Sequence, residues 1–407
     1  MRAGFGKYEI TPPMGVELSG YGYYLGRRAQ SVRDPLFARA LMLECEGERA
    51  LIISCEVLGV SRFICEKVFE HAAQYGVARD HVMIVSIHTH TGPSLKYHEG
   101  CGFVDDDFAA TMPGMICKAV DAAYADMAEV TALTHMSAEL PGDYIYNRTI
   151  PGGPVDRMVR GFTFTREGKK PVAAVSTACH CVCRRCIPDV SADYAGEINA
   201  MLESEGYECL FLNGACGDID PFQPTPERTT EFAKLVHDVY LSQSEPLPLT
   251  LSAGQIPYTL RLVPLDEEGI RQTAAAAVVR NGGPDQPASR VALVWEQEKL
   301  AEADKLAYEE PIQVKYMVLG GVPVIALPFE AYTTTGQLIR KVLGRNDVLT
   351  LGTAEELLGY LPTREDIEHG SYASSDAFFL YKRLPPLPGE AERLGEEMGK
   401  ALERILA

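Results

Sequence analysis

A chain of 407 residues, 46% hydrophobic and 23% charged, carries enough apolar material for a large core and no long stretch polar enough to stay unfolded. A formal charge of -18 repels phosphate backbones and anionic lipid, which argues against nucleic-acid binding and electrostatic membrane docking. No apolar run approaches the ~18 residues of a transmembrane segment, and the first twenty residues lack the apolar core of an export signal, so a cytoplasmic protein is expected.

In chain order, ALMLEC and RALIISCEVLGV read as strands, SRFICEKVFEHAAQYG as a helix and HVMIVSI as a strand. After a helix near 107–126 come strand-like VRGFTFT and KPVAAVSTACH, helical DYAGEINAMLESEG and the strand ECLFLNG. This alternation predicts an α/β fold. Two helical patterns between about 266 and 310, separated by NGGPDQP, form the best candidate for an insertion in what otherwise reads as one domain over 1–407. IQVKYMVLGGVPVIALP predicts a hairpin at Gly320-Gly321. The closing segment sets Leu394, Met398, Leu402 and Ile405 on one helical face, as a docked amphipathic helix requires.

Five places offer chemistry. In IVSIHTHTGP, an extended strand would project His88 and His90 to one side, a start for a metal site because imidazole is the commonest metal ligand. His180 ends an apolar run and opens Cys179-His180-Cys181-Val182-Cys183-Arg184-Arg185-Cys186. That cluster lacks a second distant cysteine pair, so thiol metal binding or redox chemistry stands there as the alternative from another functional class. The odd total of 11 cysteines in a long chain reads as reduced thiols, with Cys45, Cys55, Cys65 and Cys209 as small buried hydrophobes. FLNGACGDIDPFQP delivers Asn213, Asp218 and Asp220 to a loop at the carboxyl edge of a strand, where α/β sheets bind ligands. Glu330 reads as the start of a helix that its threonines could cap, a position that favours a carboxylate with or without a ligand role. Tyr360 and Tyr372 lie in the loop GYLPTREDIEHGSYASSD.

Taken together these segments resemble the neutral/alkaline non-lysosomal ceramidase family. The likeness opens with AGFGKYEITPPMGVELSGYG and DPLFARALML, then continues in family order through SCEVLGV, IHTHTGP, YNR, PVDRMVRGFTF, ACH with SADYAG, NGACGD, LPFE, GYLPT and GSY. The resemblance implies an α/β catalytic domain with a central mixed sheet flanked by helices. It implies a Zn2+ ion held by His88, His180, Glu330 and Tyr360, with His90, Arg148 and Tyr372 around the reacting carbonyl. The activity implied is hydrolysis of a small-molecule or lipid-like N-acyl amide by metal-activated water. A true ceramidase and an esterase using the same zinc remain alternatives. Asp220 stands where the family carries a catalytic serine, and an ionised carboxylate cannot donate a proton as a hydroxyl does. The expectation for Asp220 is therefore to orient or deprotonate the attacking water. Phe329 replaces a glycine usual before the ligand glutamate, and the chain leaves no room for the family's C-terminal immunoglobulin-like domain.

Overall fold

The apolar runs of the N-terminal half become strands of one mixed sheet in the computed structural model, which describes residues 1–23, 25–96 and 98–407. In chain order they are β1 (Arg2–Glu9), β2 (Phe37–Cys45), β3 (Glu48–Cys55), β4 (Val82–Ser86), β5 (Ala128–Glu139), β6 (Met158–Arg166), β7 (Val172–Thr177) and β8 (Glu208–Asn213). Their spatial order is β8-β7-β6-β5-β1-β2-β3-β4, and Glu245–Leu247 pairs with β5 off this path. Neighbours run antiparallel except at the two margins, where β3 is parallel to β4 and β7 to β8.

The sheet curls until those margins meet. Ser54 Oγ on β3 donates to the Phe211 carbonyl on β8 at 2.6 Å, and the Asn213 amide donates to the Ile87 carbonyl just beyond β4 at 2.8 Å. The carboxyl ends of β4, β7 and β8 therefore open at one place, the position at which parallel strands present ligand-binding loops.

Alternation along the strands sorts the side chains between two cores. Ala40 and Met42 on β2 and Leu51 and Ile53 on β3 pack with residues of α1 (Arg62–Ala72), α2 (Asp106–Ala125), α3 (Asp193–Ser204) and α4 (Pro226–Ser242). The intervening Leu41, Leu43 and Ile52 pack on a second sheet. Burial on both faces explains why these strands read as unbroken apolar runs rather than alternating ones.

The second sheet is β9 (Leu251–Arg261), β10 (Glu309–Leu319), β11 (Val322–Ala326) and β12 (Leu349–Leu351), in that order. Its hairpin turns at Gly320-Gly321 as expected, with φ of 57° and 86° that glycine adopts without strain. Helices α5 (Glu267–Arg280), α6 (Pro287–Ala301), α7 (Thr333–Leu343) and α8 (Glu390–Leu406) contribute to a core around Trp295, Ile339 and Met398 on its outer side. The result is a helix–sheet–sheet–helix stack, an α/β fold whose central mixed sheet is covered by helices on one face and by a second sheet on the other. Helices α5 and α6 occupy the helical stretch read between 266 and 310. On α8, Leu394, Met398 and Leu402 are buried while Ile405 is 36% exposed at the edge of that face. Among the described residues no helix is long and apolar enough to cross a membrane.

Candidate active site

The loop after β4 delivers His88 and His90, though not by strand alternation. β4 ends at Ser86, and His88 adopts φ 66°, a left-handed conformation that costs a non-glycine residue energy and is found where surrounding contacts impose it. Here the His88 amide donates to the Val57 carbonyl and its Nδ1 to the Leu58 carbonyl at 2.8 Å. The two imidazoles still converge, with ring centroids 5.0 Å apart. His180, three residues beyond β7, adds a third ring 4.8 Å from that of His88. Its Nδ1 donates to the Cys216 carbonyl at 2.7 Å.

Glu330 lies on a two-residue strand, Glu330–Ala331, paired in parallel with Tyr360–Leu361 so that Glu330 and Tyr360 are register partners. The expected capped helix start is corrected on this point. α7 begins at Thr333, its N-cap Tyr332 makes no side-chain cap, and the Thr333 hydroxyl donates to Asp218 instead. Backbone pairing, rather than a helix terminus, aims the carboxylate. Close packing fixes it further, because a Cβ on Gly217 would stand 2.2 Å from the Glu330 carbonyl oxygen.

These side chains meet in a way that calls for a cation. With Nδ1–H committed to a backbone carbonyl in both His88 and His180, each neutral ring presents a lone pair at Nε2. Those lone pairs lie 3.2 and 3.1 Å from one oxygen of Glu330, itself only an acceptor when ionised. Burial, and then the Arg148 guanidinium, hold His180 below the usual imidazole range. Burial pushes the Glu330 carboxyl up, and only positive charge or donated hydrogen bonds from its neighbours bring it well below the ordinary value, so a carboxylate here goes with a cation among these side chains. Arg148 Nη2 approaches His180 Nε2 at 3.1 Å, but Glu330 makes no ion pair with a lysine or arginine among the described residues, so the buried carboxylate has no direct counter-charge, a costly arrangement that a metal ion relieves. An Nδ1–H donated to a carbonyl is also how metal-bound histidines are oriented. Among the described residues, the group of His, Cys, Asp and Glu spaced to hold a metal ion is His88, His90 and His180, all buried, with ligand atoms within 4.8 Å of one another. His90 keeps both ring nitrogens unpartnered, and burial followed by the other two imidazoles holds it well below its ordinary pKa.

The remaining sequence candidates surround this group. Tyr360 OH lies 3.5 Å from His180 Nε2 and accepts from Arg148 Nη2 at 2.7 Å. Arg148 also donates to the Gly217 carbonyl and pairs with Asp220 at 3.3 Å, so Asp220 reaches the histidines through the guanidinium. Tyr372 opens a short helix at the rim, 44% exposed, its ring 6.4 Å from that of Tyr360. Asn213 and Asp218 brace the loop. Asp218 accepts from the Thr333 amide and hydroxyl and from Asn147, and burial pushes its carboxyl up to about 6.

The cysteine alternative finds no support. Cys179, Cys181 and Cys183 are buried, burial pushes each thiol well above its ordinary pKa, and none belongs to a metal-competent group among the described residues. A thiol kept protonated is a poor ligand and a poor nucleophile. Two residues missed in the sequence belong to the site. Tyr381 donates its hydroxyl to Glu330 Oε1, and His98 lines the same cavity. Neither sits in a spaced motif, so neither gave a signal.

The fold that these layers define is shared with the neutral ceramidases. The crystal structure of neutral ceramidase from Pseudomonas aeruginosa superimposes with a TM-score of 0.75 at 18% identity, covering 99% of this chain and 74% of that one. A ceramidase complexed with C2 gives 0.74 at 17% identity, covering 99% and 75%. No profile of a known protein family matches the chain, and no curated protein does.

Proposed function

We propose that this chain is a zinc-dependent hydrolase that cleaves the amide bond of an N-acyl substrate. The observation that carries the reading is the meeting of two imidazole lone pairs and a carboxylate oxygen within 3.2 Å, in a fold shared with ceramidases. His88, His180, Glu330 and Tyr360 would hold the metal, and two nitrogens with two oxygens and no thiolate suit borderline-soft zinc. Zinc bound there would lower the pKa of a water toward ~7 and polarise the substrate carbonyl.

The protein's own groups account for the rest. Attack of water on the acyl carbon places negative charge on the carbonyl oxygen, and Tyr372 at the rim, with Arg148 beside Tyr360, supplies hydrogen-bond donors for it. Asp220 fixes Arg148 from behind by the 3.3 Å ion pair, a positioning role in place of the water activation read from sequence. When the C–N bond breaks, the departing nitrogen needs a proton, and His90, neutral with unpartnered nitrogens, relays the one released by the attacking water. The products are a carboxylate and an amine. An ester carbonyl would be attacked at the same centre.

Elemental analysis of the purified protein, joined to a screen of N-acyl amides, tests this. Stoichiometric zinc is expected, with hydrolysis abolished by chelation and restored by zinc, and with metal lost in His88→Ala and His180→Ala. Retention of metal by both variants, or amide hydrolysis indifferent to chelation, would refute it.

A further inference from the structure

The cavity beside the histidines is small, about 30 Å³ by the measure in which one water takes ~10–15 Å³, so it admits a small substituent rather than a bulky one. Leu58, Leu380 and Cys101 supply its apolar lining, and no lysine or arginine is among the lining residues. His98 lines it too, carried on the loop that follows the His88–Pro93 turn. Its ring is 4% exposed and lies 4.5 Å, centroid to centroid, from that of Tyr381. Its Nε2 has no hydrogen-bond partner among the described residues. A nitrogen cut off from solvent and left without a partner is rare in folded proteins, and in a binding cavity it marks where a ligand atom completes the bond. Burial, then Lys96, holds the ring down to about 3, so His98 is neutral at physiological pH. A neutral imidazole exchanges hydrogen bonds with a hydroxyl or amide, and no lysine or arginine lines the cavity to form an ion pair with a charged substituent beside His98.

We infer that His98 selects the substrate: it binds a polar, uncharged group on a compact N-acyl compound, and the cavity excludes a long acyl chain. This rests on the hydrolytic reading for the bond that is cut, but not for the binding preference. A merely structural role for His98, steadying Tyr381 by ring packing, would be met equally well by phenylalanine.

The test uses four probes with the zinc-loaded full chain: N-ethylacetamide, its two hydroxylated forms N-(2-hydroxyethyl)acetamide and N-ethylglycolamide, and N-palmitoylethanolamine. Binding by calorimetry and hydrolysis are both followed. One hydroxylated amide should be favoured over N-ethylacetamide by at least about tenfold, as expected where a buried group requires a partner, and over the palmitoyl compound as well. In His98→Phe that ratio should fall toward unity with zinc content retained, and His98→Gln should recover part of it. The inference is overturned if wild type shows no hydroxyl preference, if the ratio survives in His98→Phe, if both amides weaken in equal proportion, or if the palmitoyl compound is taken as well as the short ones. Binding with the expected preference but without hydrolysis would uphold the inference and sink only the proposed reaction.

Discussion

Glu330 divides its two oxygens between opposite tasks. Oε2 faces the Nε2 atoms of His88 and His180, while Oε1 accepts the hydroxyl of Tyr381. Burial, and then the carboxylate itself, raise the Tyr381 phenol well above its ordinary pKa, so it remains a donor and pins the carboxylate in one rotamer. Outer partners of this kind govern metal affinity because they fix the ligand before the metal arrives. Tyr381→Phe keeps the ring and removes the donated bond. Its zinc affinity, measured by competition with a chromophoric chelator, should fall about 10- to 100-fold with the melting temperature of the metal-free protein little changed. An unaltered affinity would show that backbone pairing with Tyr360 alone positions the carboxylate.

That pairing belongs to the level of elements, where short segments from distant parts of the chain lock together. The β8 loop and the Glu330–Ala331 strand approach so closely at Gly217 that the Gly217 amide donates to the Ala331 carbonyl, and an added Cβ would meet the Glu330 carbonyl at 2.2 Å. Both atoms in that clash are backbone-held, so neither can swing aside. Gly217→Ala should therefore cost about 2–4 kcal/mol in denaturant unfolding, in the range of strain and overpacking effects, and should weaken zinc binding because Glu330 moves with the strand. Wild-type stability and affinity together would show that the loop yields. The same closeness explains which parts of the site were legible in sequence. His88, His90 and His180 end apolar runs, and a strand end is visible as a change of composition. The way His88 turns was not visible, because its positive φ answers to the Val57 and Leu58 carbonyls, more than 25 positions upstream. Glu330 followed by threonines imitates a helix start, yet its neighbour in space is Tyr360, and local propensity cannot report a partner supplied by another loop. Glu330 and Tyr360 became ligand candidates only through the family resemblance. Tyr381 and His98 lie in loops without periodicity, and only the folded chain brings them to the site.

Across the whole molecule, a helix–sheet–sheet–helix stack buries imidazoles far from any metal chemistry. His135 on β5 is 7% exposed, packs its ring 5.2 Å from Phe162, and leaves Nε2 unpartnered. Burial lowers its pKa to about 4, with Asp347 opposing and Arg160 assisting. In the unfolded chain the same ring titrates near ~6.5. Between those values the unfolded state holds a proton that the folded state refuses, so stability is complete above about pH 6.5 and is lost as pH falls toward 4. By pH 5 the loss from His135 alone amounts to about 2 kcal/mol, and His98 and His90 shift in the same direction. The net charge of -18 acts oppositely, since protonating carboxylates relieves self-repulsion. That relief develops mainly near the ordinary carboxylate values of ~4, while Asp218, pushed up to about 6, and Glu355, to about 7, titrate between pH 7.5 and 5 in variant and wild type alike, so the difference between the two isolates His135. His135→Gln removes one titration while keeping a polar group of similar reach. Urea unfolding across this interval should show the free-energy gap between variant and wild type narrowing by about 2 kcal/mol as pH falls, because wild type loses stability that the glutamine variant keeps. A gap constant with pH would mean that the folded protein accommodates a charged His135, and with it that burial between the layers does not hold this ring neutral.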